Sequence, residues 1–154
     1  MALIHENLYQ NKDLSHLNFG EYIANLVQNL VYTYNSSKKE IEVLMDVDDI
    51  FLNLDYSIPC GLIINELISN SLKHAFTESE KGTIKVIFKK HTDLVHLSIE
   101  DDGKGFNKKI DFRNTDSLGL QLVMALVDQI NGKIEQKAQT KKGTIYKIEF
   151  KYDK

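Results

Sequence analysis

The sequence predicts a two-layer α/β (α+β) sandwich, a mixed sheet backed by about three helices. Three observations predict it. Apolar residues recur at spacings of three and four in three separate stretches, as helices with one buried face require. Five other stretches alternate apolar with polar residues, as half-buried strands do. The elements follow in the order α, β, α, β, β, loop, α, β, β, which is not the strict alternation of a fully parallel sheet.

The first dozen residues have helical spacing at Leu3, Ile4 and Leu8 but too few turns to bury much, and read as the end of a helix whose partner is missing. Residues 19–34 form the first full helix, with Phe19, Ile23, Leu26, Val27, Leu30 and Tyr34 on its buried face. The stretch E-I-E-V-L-M-D-V alternates and reads as a strand. The next helix covers residues 57–76, with Pro59 in its first turn and a stripe of Ile58, Leu62, Ile63, Leu67, Ile68, Leu72 and Ala75. Strands at 83–90 and 94–101 flank a short H-T-D connection, a hairpin. Residues 102–116 are polar, carry Gly103 and Gly105, and read as a loop. A helix at 118–131 stops at Gly132, a C-terminal glycine signal. Strands at 133–138 and 143–151 then enclose the basic turn Q-T-K-K.

A chain of 154 residues fits one domain. Its net charge of −3 argues against a nucleic-acid surface, which needs a basic patch. The single cysteine, Cys60, excludes an internal disulfide and suits a reducing compartment. No signal-peptide pattern and no apolar run near membrane-spanning length are evident, so a cytoplasmic location without membrane contact is expected. The chain also fits a piece of a longer protein, soluble or anchored.

Several positions break the pattern. Glu66, Asn70 and Lys73 follow at i, i+4 and i+7 on one flank of the second helix, where a solvated face would mix Lys with Glu. In L-V-H-L-S-I-E-D, strand period puts Asp101 on the same side as Val95, Leu97 and Ile99. Either the strand has ended and Asp101 turns to solvent, or it faces inward and awaits a polar ligand, since a buried carboxylate needs donors. Gly103 and Gly105 permit close backbone approach just beyond it. Thr144 shares a face with Tyr146, Ile148 and Phe150. Ser117 and Gly119 open the third helix, whose free N–H groups favour phosphate, although most such caps bind nothing. Each residue alone has an ordinary reading as a satisfied amide, a snorkelling lysine or a plain cap. Together they suit a magnesium nucleotide: Asn70 as oxygen ligand, Lys73 toward phosphate, Asp101 accepting from the exocyclic amine of a base.

The segments N-E-L-I-S-N-S-L-K-H-A-F, E-D-D-G-K-G-F and S-L-G-L-Q-L-V resemble, in order, the N, G1 and G2 boxes of the GHKL ATPase superfamily. The closing G-T-I-Y-K-I-E-F is similar to the strand that ends such domains. K-H-A-F and S-L-G-L-Q-L-V further resemble sensor histidine kinases of the second HisKA class, and A-L-I-H-E-N-L-Y-Q looks like the tail of their dimerisation helices. The resemblance covers essentially the whole chain. It implies a Bergerat-type fold, with residues 1–15 as the tail of an upstream dimerisation and phosphoacceptor helix and 16–154 as the catalytic domain.

By carry-over, Asn70 ligates Mg²⁺, Lys73 contacts phosphate and His74 lies near the ribose and phosphates of ATP. Asp101 takes the adenine amino group, with Thr144 assisting, while Gly103 and Gly105 shape the adenine-side loop. Gly119, flanked by Leu118 and Leu120, offers backbone N–H groups to phosphate, and Glu66 fills the position of the general base in hydrolytic members. The implied reaction is transfer of the γ-phosphoryl group of ATP to a histidine upstream of this chain; His5 is not that acceptor. A response regulator is implied indirectly, and the fragment is expected to be a monomer.

Two departures stand out: Ser117 and Gln121 replace glycines of the usual G2 pattern, and the segment between Gly105 and Ser117 is short for a lid, with Phe106 and Phe112 in place of a phenylalanine-rich box. Two alternatives stay open at this point. One is another GHKL enzyme, a hydrolytic ATPase or an anti-sigma-type protein-serine kinase. The other is a degenerate nucleotide-binding interaction module.

Overall fold

The computed structural model describes residues 17–35, 40–76, 81–103, 118–138 and 143–152. Strand β1 (Leu17–Asn18) leads into helix α1 (Phe19–Tyr34); β2 (Glu40–Val47) and β3 (Phe51–Leu52) precede helix α2 (Leu54–Asn70). A five-residue π-turn (Ser71–Ala75) continues α2, followed by β4 (Lys81–His91), β5 (Leu94–Asp101), α3 (Leu118–Gln129), β6 (Lys133–Ala138) and β7 (Thr144–Lys151). The expected tail helix over 1–15, His5, and the loop with Gly105, Phe106, Phe112 and Ser117 lie outside the described residues.

Five strands form one mixed sheet in the order β2-β4-β5-β7-β6. β2 runs parallel to β4, and the other neighbouring pairs are antiparallel. One face carries Val86, Phe88, Val95, Leu97, Ile99, Tyr146, Ile148 and Phe150, all buried under the helices. The opposite face carries charge, including Lys89 bound to Asp46 at 2.6 Å and Asp48 at 3.0 Å. This is the predicted two-layer arrangement.

Four details differ from the sequence reading. First, β1 and β3 pair in a small second sheet, too short to show any period. Second, α2 opens at Leu54, three residues early, because the Asn53 carbonyl accepts from the N–H groups of Tyr56 (3.2 Å) and Ser57 (2.9 Å). Pro59 therefore lies inside the helix rather than in its first turn, and Ile58, expected in the buried stripe, is 41% exposed. Third, the left-handed residue that ends α3 is Asn131 (φ 53°), not Gly132. The Asn131 N–H donates to Asp128 O and the Gly132 N–H to Val127 O, the reciprocal pair of a Schellman cap. Fourth, the last turns of the expected second helix are π rather than α.

Among the described residues, no helix is long and apolar enough to cross a membrane.

Candidate nucleotide site

Asp101 ends β5 on the covered face, opposite Ile84 of β4 and Thr144 of β7. It is only 5% exposed, which decides between the two sequence readings in favour of the inward one. The Ser71 hydroxyl donates to its Oδ2 at 2.9 Å, and the Gly103 N–H donates to its Oδ1 at 3.0 Å. Burial is the largest influence and pushes the carboxyl above the ordinary range. The hydrogen bonds from Ser71 and Gly103 oppose that push, the charge of Asp102 adds to it, and a Thr144 backbone bond opposes it. Tyr146 lies nearby on β7, its phenol raised by burial first and by the Asp101 charge second.

The second aspartate of the pair has a structural task. Asp102 Oδ1 accepts from the Thr83 N–H at 2.8 Å, while its own N–H donates to Thr83 O at 3.3 Å. That clamp fixes the end of the β4–β5 ladder and so the aim of Asp101. Gly143 closes the other side with φ 107°, and any Cβ there would run into the Asp101 carbonyl oxygen. Only glycine combines that φ with that approach.

The second half of the site lies between α2 and α3. Glu66 and Asn70, one turn apart on α2, both face the start of α3. A Cβ added at Gly119 would lie 2.8 Å from Glu66 Oε2 and 3.9 Å from Asn70 Nδ2. The space between the helix flank and the α3 N-terminus is thus a cradle that one methyl group would fill. That terminus is the positive end of the helix dipole.

Lys73 and His74 sit on the π-turn, and both are exposed. The wider turn changes the phase of residues after Asn70, so Lys73 does not simply continue the Glu66–Asn70 flank. Ser71 links the halves, being adjacent to Asn70 in sequence and bonded to Asp101 in space. The structure thus gathers Glu66, Asn70, Asp101, Gly103, Gly119 and Thr144 around the end of α2. Leu120 is buried, and Leu118, 81% exposed, projects away from the core. Ser71, Gly143 and Tyr146 had not been singled out as site residues; a serine beside Asn70 in a helix carries no sequence signal of its own. A groove of about 840 Å³ lies elsewhere, along β6 and the end of α3, and its lining includes none of these residues.

The profile of the histidine kinase-, DNA gyrase B-, and HSP90-like ATPase family matches residues 55–154, which span both halves of this site. The chain belongs to that family. Membership in this ATPase family implies nucleotide binding, the chemistry to which a buried carboxylate and a helix N-terminus are suited. A second profile, that of histidine kinases, matches residues 1–34 and points to a phosphoacceptor domain as partner.

Sensor histidine kinase PdtaS of Mycobacterium tuberculosis is 25% identical over 146 residues, covering 94% of this chain and 29% of that protein. The chain spans well under half the length of the curated relatives it matches, 29% of PdtaS and 39% of a blue-light-activated histidine kinase of Erythrobacter litoralis. Among solved structures, the histidine kinase domain of the Erythrobacter litoralis EL346 blue-light-activated kinase superposes with a TM-score of 0.81 at 19% identity, over 97% of this chain and 70% of that one. The catalytic domain of histidine kinase ThkA gives 0.70 at 18% identity, over 90% of this chain and 97% of that one. The ATPase domain therefore has the fold of histidine kinase catalytic domains.

Proposed function

We propose that this ATPase domain binds Mg-ATP and transfers its γ-phosphoryl group to a histidine of an upstream dimerisation domain. The observation that carries the nucleotide half is Asp101: a carboxylate 5% exposed, oriented by the Ser71 hydroxyl and by backbone donors, at a site flanked by a helix start. A carboxylate held in this way suits the exocyclic amine of adenine, with Thr144 beside it on β7 and Gly103 bonded to it. On the phosphate side, Lys73 supplies a mobile positive charge, His74 approaches the ribose and phosphates, and Leu118, Gly119 and Leu120 offer backbone N–H groups.

The cradle between Asn70, Glu66 and Gly119 fits a small hard cation. Among the described residues no group of three His, Cys, Asp or Glu is placed to hold a metal. A magnesium ion here would rest on the Asn70 amide oxygen and the phosphates of its nucleotide, which is how that ion is usually held. When bound, it offsets phosphate charge. Glu66 stands where it can order a nearby water or the incoming group. In the transfer itself, a ring nitrogen of the acceptor histidine forms the bond to phosphorus as the bond to the bridging oxygen breaks and ADP leaves. The domain contributes positioning and electrostatic stabilisation.

We read residues 1–15 as the tail of the dimerisation helix and 16–154 as the catalytic domain. The buried Leu17 and Phe19 support that division, since α1 already packs in the core. Dimerisation then belongs to the upstream helices and the isolated chain is a monomer in the cytoplasm, where ATP is available. A light-scattering mass of a dimer contradicts that. A response regulator is the downstream partner of the phosphorylated histidine.

Thermal melts with and without millimolar Mg-ATP test the binding half. A ligand at about 100 times its Kd stabilises the folded state by roughly 2.7 kcal/mol. The wild type shifts upward and Asp101→Asn does not. Radiolabelled ATP mixed with a histidine-bearing dimerisation fragment tests transfer. Binding without phosphohistidine leaves a nucleotide-binding module; release of free phosphate without the fragment marks a hydrolase.

A further inference from the structure

Ser71 is 5% exposed and its hydroxyl reaches across the site to a residue 30 positions away. A serine within a helix ordinarily bonds back to a carbonyl about one turn earlier. Here it donates instead to Asp101 Oδ2, at 2.9 Å. The π-turn begins at this residue, directly after Asn70. Extra residues per turn of this kind recur where a helix must aim a side chain.

We propose that Ser71 is the positioning residue for Asp101, fixing the plane of its carboxylate so that it accepts the exocyclic amine of a purine and thereby sets the preference for adenine. The inference rests on the nucleotide reading above and deepens it. Gly103 N–H holds Oδ1 and Ser71 holds Oδ2, so the two donors grip the carboxylate at both oxygens. Removal of the Ser71 grip takes from Oδ2 its side-chain donor and leaves the carboxylate to the Gly103 and Thr144 backbone bonds alone, which loosens its aim. Asp102, the Tyr146 phenol and the Thr144 backbone also face this carboxylate. Ile84, opposite on β4, is apolar, so only Ser71 among the α2 and β4 neighbours named here offers a side-chain donor.

The test compares Kd values of the 154-residue chain for ATP and for purine riboside triphosphate, which carries hydrogen in place of the amine. In Ser71→Ala, the ATP affinity falls roughly ten-fold, in line with loss of one well-aimed hydrogen bond to a charged group, while the analogue binds as before. Ser71→Thr keeps the hydroxyl and restores the ATP preference. Equal losses for both nucleotides overturn the proposal, because a merely structural serine would weaken both alike. Unchanged ATP binding overturns it too. Asp101→Asn separates this failure from that of the parent reading: if it abolishes the preference and Ser71→Ala does not, only the Ser71 inference falls. If the wild type does not prefer ATP at all, both fall.

Discussion

Asp101 keeps a carboxylate where burial disfavours its charge, and the consequence is measurable without any ligand. Its carboxyl is pushed above the ordinary carboxylate range chiefly by burial. Between the ordinary and the raised value, the folded domain holds a proton that the unfolded chain has already released. Stability from this group is therefore complete below the ordinary value and is lost as pH rises through the raised one. Asparagine at this position removes the titration and keeps both contacts: its amide oxygen accepts from Gly103 and its amide N–H donates to Ser71. Nucleotide-free melts as pH rises from about 4 should show the wild type losing stability relative to Asp101→Asn. At neutral pH the variant should be at least as stable as the wild type. A variant markedly less stable at neutral pH would mean that the carboxylate holds the fold together and is not kept for a ligand. Residues whose replacement stabilises a protein while abolishing its ligand response are the ones held in place for binding.

At the scale of elements, what could be read beforehand was what repeats. Period-two alternation placed β4, β5, β6 and β7 to within two residues of their ends, and strand phase alone put Asp101 and Thr144 on the covered face, where they are register partners. The single events were not legible. The cap at Asn53 moved the start of α2 because a backbone carbonyl, not a side chain, receives the first turn; the Asn53 side chain makes no cap bond. The π-turn leaves no mark in the sequence because its residues S-L-K-H-A are ordinary helix formers or neutral. It is stabilised instead by what it meets: Leu72 and Phe76 are each 1% exposed, and Phe76 packs so tightly on Gly82 that a Cβ there would enter its ring. Ser71 was missed for the same reason. Its partner is fixed by tertiary packing 30 residues away, and only the boxes that carry chemistry were visible as local strings.

Across the whole molecule, the chain is tied at the end of the sheet opposite the candidate site. β7 runs from Thr144, beside Asp101, to Lys151 at the far end, eight residues or roughly 25 Å of extended chain. Just beyond it, Tyr152 is 3% exposed, and its hydroxyl accepts the Asn53 N–H at 3.0 Å, a bond between positions 99 residues apart. The Tyr152 N–H donates to Asp93 O at 2.7 Å, and the ring meets Tyr56 edge-on with centroids 4.8 Å apart. The last strand thus holds the β4–β5 turn and the first turn of α2 at once. Tyr152→Phe keeps the ring contacts and leaves the Asn53 N–H without that acceptor in a part-buried place, which costs about 1–2 kcal/mol. In urea the midpoint should fall while the slope stays the same, since the folded and unfolded surfaces are unchanged. The stabilisation added by Mg-ATP should also stay the same, because the missing bond lies a sheet's length from Asp101. If that increment shrinks along with the midpoint, the two ends of the domain are coupled through α2, and the nucleotide site would then depend on how firmly the first turn of that helix is held.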